Sequence, residues 1–173
     1  MIIFKDKKIK NIIVICITLI SLLELYFAYK VQKEYTGIYE VGIFILFIFQ
    51  PFWYKSLFRD QETYLKLRVI AIVLISLILP LIIYFTLPTY TYNEGKQIVK
   101  EYVQSSGNLI FIDISKDKDT VPLTANPKRL FVSDRAYYYG IKSTFNNKYF
   151  MVNPLTGKVI QLSEDYWEFK DNK

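Results

Sequence analysis

A chain of 173 residues with no histidine and a single cysteine cannot run Ser-His-Asp or Cys-His catalysis, build a His-containing zinc site or close an intrachain disulfide. Its 52% hydrophobic content is only slightly above that of an ordinary soluble protein, but the apolar residues crowd into the first half. The net charge of +6 flanks the apolar segments, which reads as membrane topology and argues against a nucleic-acid partner.

Residues 1–11 hold Lys5, Lys7, Lys8 and Lys10 against Asp6. The run over 12–29, IIVICITLISLLELYFAY, is as long as a spanning helix and no small-x-small cleavage site follows it. It therefore predicts a first transmembrane helix of signal-anchor character, not a cleaved signal peptide. A polar link over 30–36 leads to a second predicted helix, 37–54. Its uncharged core starts at Val41, which places Glu40 near an interface. Pro51 ends or kinks it, and Phe52, Trp53 and Tyr54 suit an aromatic belt. The mixed-charge link over 55–68 fits a short amphipathic helix on the membrane surface. The third predicted helix, 69–87, carries no charge. Its 19 residues span roughly 28 Å, close to the ~30 Å hydrocarbon core. Pro80 is expected to kink it, which neighbouring helices can accommodate.

Orientation follows from the basic residues. With the N-terminus cytoplasmic, the inside segments 1–11 and 55–68 hold eight Lys and Arg against two in the outside link, as the positive-inside rule requires. Residues 1–88 form the predicted membrane domain, and residues 89–173 an extracytoplasmic α+β domain.

In that domain Thr91 and Glu94 are spaced for a capping box. Ile98, Val99, Tyr102 and Val103 recur at helical spacing over 91–104, and Ser105, Ser106 and Gly107 stop the helix. The segment 108–115 is β-rich. The segment 116–128 is polar with two prolines, hence a loop. Residues 129–133 read as a short strand and 137–145 as a longer one. Asn146 and Asn147 make a tight turn, 149–152 returns, 153–157 turns again and 158–162 closes the meander. One helix thus covers a four- or five-stranded antiparallel sheet. The tail is too polar to span anything.

The helix YNEGKQIVKEYVQ, the strands after it and the hairpin KYFMVNPLTGKVIQL together resemble the PepSY module, a small extracytoplasmic domain of peptidase propeptides and bacterial envelope proteins. That family's closing hairpin reads aromatic-x-Val-x-Asn/Asp-x-x-Thr-Gly-x-Val. Tyr149, Met151, Asn153, Thr156, Gly157 and Val159 fall on it, with Met151 where valine is usual. The resemblance covers residues 91–162 and none of the preceding helices, and the insertion 116–128 is longer than the pattern expects. It implies binding or inhibition of an envelope partner, often a protease, in place of catalysis.

Candidate site residues are few. Glu24 is the one acid inside an apolar run, either a proton, ion or helix-contact site or, as its place near the outer end favours, a carboxylate reaching the headgroups. Gln50 and Pro51 suit a span end better than a transporter cavity. Asp113, Asp117, Asp119 and Asp134 lack the glycine and terminal glutamate of a calcium loop, so a solvated loop is expected and no metal. Asp134, Glu164, Asp165 and Glu168 offer acids without a fixed separation, and an exposed tail is the simpler reading. Tyr137, Tyr138 and Tyr139 alternate across a strand. One side belongs in the core, while Arg135, Tyr137, Tyr139 and Lys142 are the candidate binding surface.

Together these features predict a multi-pass bacterial membrane protein with no enzymatic activity and no cofactor. Its outer domain would bind or regulate a protein or peptide partner, and its other partner is membrane lipid. The alternative is an accessory or immunity-type subunit that packs by its helices into a larger membrane complex.

Overall fold

The amino-terminal apolar run and both its flanks form one uninterrupted helix, α1 (Lys7–Glu34). It outruns the expected 12–29 at each end because the flanking lysines, glutamine and glutamate are good helix formers, with no glycine or proline among them. The computed structural model describes residues 7–47, 65–103, 109–123, 129–143 and 146–171. The chain divides into two units, one of residues 1–30 and 41–85, the other of residues 31–40 and 86–173.

Within α1, the stretch Ile15–Glu34 is the one helix long and apolar enough to cross a membrane among the described residues. The third predicted helix is α2 (Leu65–Thr86), which continues through Pro80 and whose apolar stretch Ile70–Thr86 is shorter. Leu19, Leu22, Leu23 and Tyr26 on α1 are exposed, whereas Ser21, Glu24 and Ala28 are buried along one stripe. The second predicted helix begins later than expected. Gly37 to Glu40 are not helical, and the backbone turns helical only from a 3-10 turn at Val41–Phe44. Gly37, at φ 64°, takes the left-handed conformation that ends a helical path at little steric cost. The rest of that prediction, with Gln50, Pro51, the aromatic belt and most of the 55–68 link, lies outside the described residues.

The second unit is α+β, with one helix packed on a four-stranded antiparallel sheet ordered β1-β2-β3-β4. The strands are β1 (Thr120–Pro122), β2 (Arg135–Ile141), β3 (Lys148–Val152) and β4 (Val159–Leu162). α3 (Tyr92–Tyr102) starts with the expected capping box: the Thr91 hydroxyl accepts from the Glu94 amide at 3.2 Å and the Glu94 carboxylate from the Thr91 amide at 2.7 Å. Its predicted stop over 105–107 lies outside the described residues. β2 is central and both its faces are covered, so its residues read as a continuous buried run in place of alternation. Tyr137, Tyr139 and Ile141 face α3 with Val99, Phe150 and Val152, while Ala136 and Tyr138 lie with Val121 on the other face. The β3–β4 turn is as expected. The Asn153 carboxamide accepts from the Leu155 and Thr156 amides at 2.8 and 3.1 Å, and Gly157 has φ 70°.

Four local expectations are corrected. β1 falls inside the supposed polar loop 116–128, because an edge strand needs only one partner and its outer side tolerates Pro122. Residues 109–115 make a single bridge, Phe111 to Ile141, not a strand. Residues 129–132 form a tight turn, Val132 N–H to Arg129 C=O at 3.2 Å, with one bridge to Tyr39 where a strand was expected. The polar tail folds as α4 (Tyr166–Asp171), and Tyr166 and Trp167 pack beside Tyr138.

The link after α1 is not a plain spacer either. Ile38 is part of the core facing α3, and its carbonyl accepts from the Ser133 amide and hydroxyl, each at 2.8 Å. This strap, residues 37–40, makes the α+β unit discontinuous in sequence.

Candidate functional site

The tyrosines of β2 were expected to leave one ring face at the surface, and they do not. Tyr137 and Tyr139 are 0% and 1% exposed, so neither offers a ring to a ligand. Two residues apart on a strand, they share a face, and α3 covers it. The Tyr139 hydroxyl donates to the Tyr92 carbonyl at 2.6 Å and the Tyr137 hydroxyl to the Tyr90 carbonyl at 3.0 Å. They thereby tie β2 to the backbone at the start of α3, each phenol hydroxyl finding an acceptor in the buried layer between strand and helix. Tyr92 packs against the pair, edge-on to Tyr137 with centroids 5.5 Å apart and tilted against Tyr139 at 4.9 Å. Burial pushes the phenols of Tyr92, Tyr137 and Tyr139 above their ordinary value. They stay protonated and act as fixed donors, not as acids or bases.

On the opposite face, the Tyr138 hydroxyl donates to Asp165 at 2.7 Å and accepts from the Tyr166 amide at 3.2 Å. Burial, then the Asp165 hydrogen bond, raises its pKa. Asp165 also accepts from the Trp167 amide at 2.9 Å, and the Trp167 indole N–H donates to the Lys118 carbonyl at 2.8 Å. The expected exposed tail is thus seated on the sheet, while Glu164 and Glu168 remain exposed.

Arg135 is half-buried and acts as a clamp. Its Nε donates to the Thr120 hydroxyl at 2.8 Å and an Nη to the Thr120 carbonyl at 2.7 Å, so its guanidinium ties β1 to β2. Lys142 is exposed beyond the far end of β2. The four residues of the candidate surface therefore do not converge.

No family model, curated protein or solved structure matches this chain.

The acids are equally dispersed. Among the described residues, no group of three or more His, Cys, Asp or Glu could hold a metal ion. Asp113, Asp117 and Asp134 are exposed, and the Ser115 hydroxyl holds Asp117 below the usual carboxylate range. Asp119 is the exception. Its side chain is buried, its Oδ1 has no hydrogen-bond partner among the described residues, and burial raises its pKa. Glu24 is 5% exposed. It lies on the buried stripe of α1 with Ser21 and Ala28, which does not fit a carboxylate reaching for the headgroups.

Sequence reasoning missed the strap and the Thr120–Arg135 clamp beneath it. A Cβ on Gly37 would meet the Thr120 hydroxyl at 2.8 Å. The Tyr39 hydroxyl shares a 2.7 Å hydrogen bond with the Thr86 hydroxyl, joining the two points at which the chain arrives from its apolar helices. The only local signal for this corner is Gly37 directly after Thr36, a turn pair.

Proposed function

We propose that the protein is a multi-pass membrane protein whose α+β unit, resembling the PepSY module, faces away from the cytoplasm and binds or regulates a protein or peptide partner. The observation that carries the membrane half is the inverted pattern of α1, with leucines outward and Ser21 and Glu24 inward. In water that arrangement exposes apolar surface and buries polar groups, both unfavourable. In lipid both signs reverse.

The Tyr39–Thr86 contact supports three crossings. It brings the chain just before Val41 beside the carboxyl end of α2. The 22 residues of α2 make it roughly 33 Å long, about the thickness of a hydrocarbon core, so a chain that starts and ends on one side of such a helix has to cross the bilayer before it. The basic residues then favour a cytoplasmic N-terminus.

The phenols are committed to the fold and the described acids are scattered, so the unit reads as a scaffold. The formed 153–157 turn suits the hairpin of the resembled family.

One experiment tests the placement. A tag after residue 173 is exposed to a protease that cannot enter intact cells. Loss of the tag agrees with the reading. A protected tag, cleaved only after lysis, contradicts it. For the partner, crosslinking in native membranes with full-length chain and with residues 1–88 alone separates capture by the α+β unit from capture by the helices.

A further inference from the structure

We infer that the outer edge of β4 pairs antiparallel with β4 of a second copy of this chain, joining two four-stranded sheets into one of eight strands. The inference goes beyond the reading above and does not depend on how many times the chain crosses the membrane.

The two edges of the sheet are built differently. In an antiparallel pair, successive residues turn their backbone groups alternately toward the partner strand and away from it. Beside β1, the Asp119 carbonyl accepts from the Tyr138 amide and the Leu123 amide donates to the Asp134 carbonyl, so the backbone groups of Thr120 and Pro122 face outward. Pro122 has no N–H to offer, and the Thr120 carbonyl is taken by the Arg135 guanidinium at 2.7 Å. That edge is closed to another strand. At the start of β4, the Lys158 carbonyl accepts from the Asn153 amide at 3.0 Å. Lys158, Ile160 and Leu162 therefore face β3, and the backbone groups of Val159 and Gln161 face outward. Those outward groups have no hydrogen-bond partner among the described residues, and no proline interrupts the strand.

A two-fold axis at Ile160 matches this pattern. It sets Val159 opposite Gln161 of the second copy and Gln161 opposite that copy's Val159. These are the outward-facing residues, so the two strands exchange both pairs of backbone hydrogen bonds. Ile160, 38% exposed, meets its own counterpart. It lies on the sheet face where Met151, its partner on β3, and Leu162 are partly buried, so the contact carries that apolar surface across the axis. The charges select the same direction. Lys158 is exposed at the start of the strand and Glu164 is exposed just past its end. An antiparallel copy sets each lysine beside the other's glutamate, whereas a parallel copy sets like charges together. An edge that complements itself in hydrogen bonding, apolar contact and charge has a second copy as its fitting occupant.

The test uses the full chain in the cells that express it, on a Cys16→Ser background, with tagged and untagged copies together so that a mixed dimer is identifiable. Single cysteines replace Ile160 or, as a contrast, Ile110, which is 62% exposed and bonded to Lys142 beside β2. At the axis the Cα atoms of a non-hydrogen-bonded pair lie about 4.5 Å apart, within disulfide range. Mild oxidation should give several-fold more mixed dimer at 160 than at 110. Gln161→Pro removes an outward N–H at an edge position that tolerates proline and should lower the yield at 160 several-fold. Lys158→Glu should also lower it, and Lys158→Glu combined with Glu164→Lys should restore it. A yield at 160 no greater than at 110 overturns the proposal. So does a yield that Gln161→Pro leaves unchanged in a chain whose circular dichroism matches the parent. If the proline variant does not fold, the charge exchange decides: failure of the single variant to weaken the crosslink, or of the double variant to restore it, overturns antiparallel pairing. A product at 160 with a different protein in place of a second copy assigns the edge to another occupant and also overturns it.

Discussion

Helices α1 and α3 are built on opposite rules. In α3 the buried positions are Gly95 and Val99, and Asn93, Glu94, Gln97, Lys100 and Glu101 face out. In α1 the buried stripe carries Ser21 and Glu24, and the exposed surface carries isoleucine, leucine and tyrosine. The same backbone geometry serves both, so the difference lies in the surroundings each sequence anticipates. α3 earns its stability by hiding one apolar stripe from water. α1 has nothing to gain in water from its outward leucines. Within its apolar stretch Ser21 and Glu24 point inward while the leucines point out, the pattern that suits apolar surroundings.

The widest test of this contrast is alkaline titration. Burial raises the phenols of Tyr92, Tyr137, Tyr138 and Tyr139 above 10.0. A raised folded-state pKa means stability fully present below the unfolded value and lost as pH climbs through the folded one. The α+β unit should therefore unfold above about pH 10, with tyrosinate absorbance rising together with loss of circular dichroism. Ionisation of all the tyrosines at their ordinary value in a still-folded unit would contradict the burial described here.

Next in size, Phe150→Ala should cost the unit about 3–5 kcal/mol, measured by denaturant titration. Leu23→Ala, at a residue 67% exposed, should change stability by no more than about 0.5 kcal/mol. Comparable losses would mean that α1 is packed like a water-soluble helix. Gly95→Ala should destabilise by about 1–3 kcal/mol through overpacking, although alanine is the better helix former, because the new Cβ would run into the Tyr139 hydroxyl. A gain in thermal stability for this variant would show that the hydroxyl can move aside. The smallest effect is expected from Asp119→Asn. Burial raises this carboxyl above 3.8, so it favours the fold below that value and ceases to as pH rises through the folded pKa. Removing the charge should raise the melting temperature modestly at neutral pH and flatten its acid dependence.

Short-range features were legible in the sequence. The Thr91–Glu94 box, the Asn153–Gly157 turn and the hairpin around it follow from side chains that bond to backbone only a few residues away. The apolar helices follow from length and composition. The Tyr137–Tyr139 alternation was legible as a strand, yet which faces stayed open was not, since that depends on α3 and α4 arriving from elsewhere in the chain.

What the sequence by itself determined, then, is where local hydrogen bonds and apolar runs make a helix or a tight turn favourable whatever lies around them. Tertiary structure alone decided that residues 120–122 pair as an edge strand, that the strap 37–40 joins the core, that a polar tail docks through Trp167, and that Phe131, at φ 61°, accepts a glycine's conformation. Each of these is unfavourable or neutral locally. Each is stabilised by partners more than ten residues away, Arg135 for Thr120, Ser133 for Ile38 and Lys118 for Trp167 among them, which no reading of neighbouring residues contains.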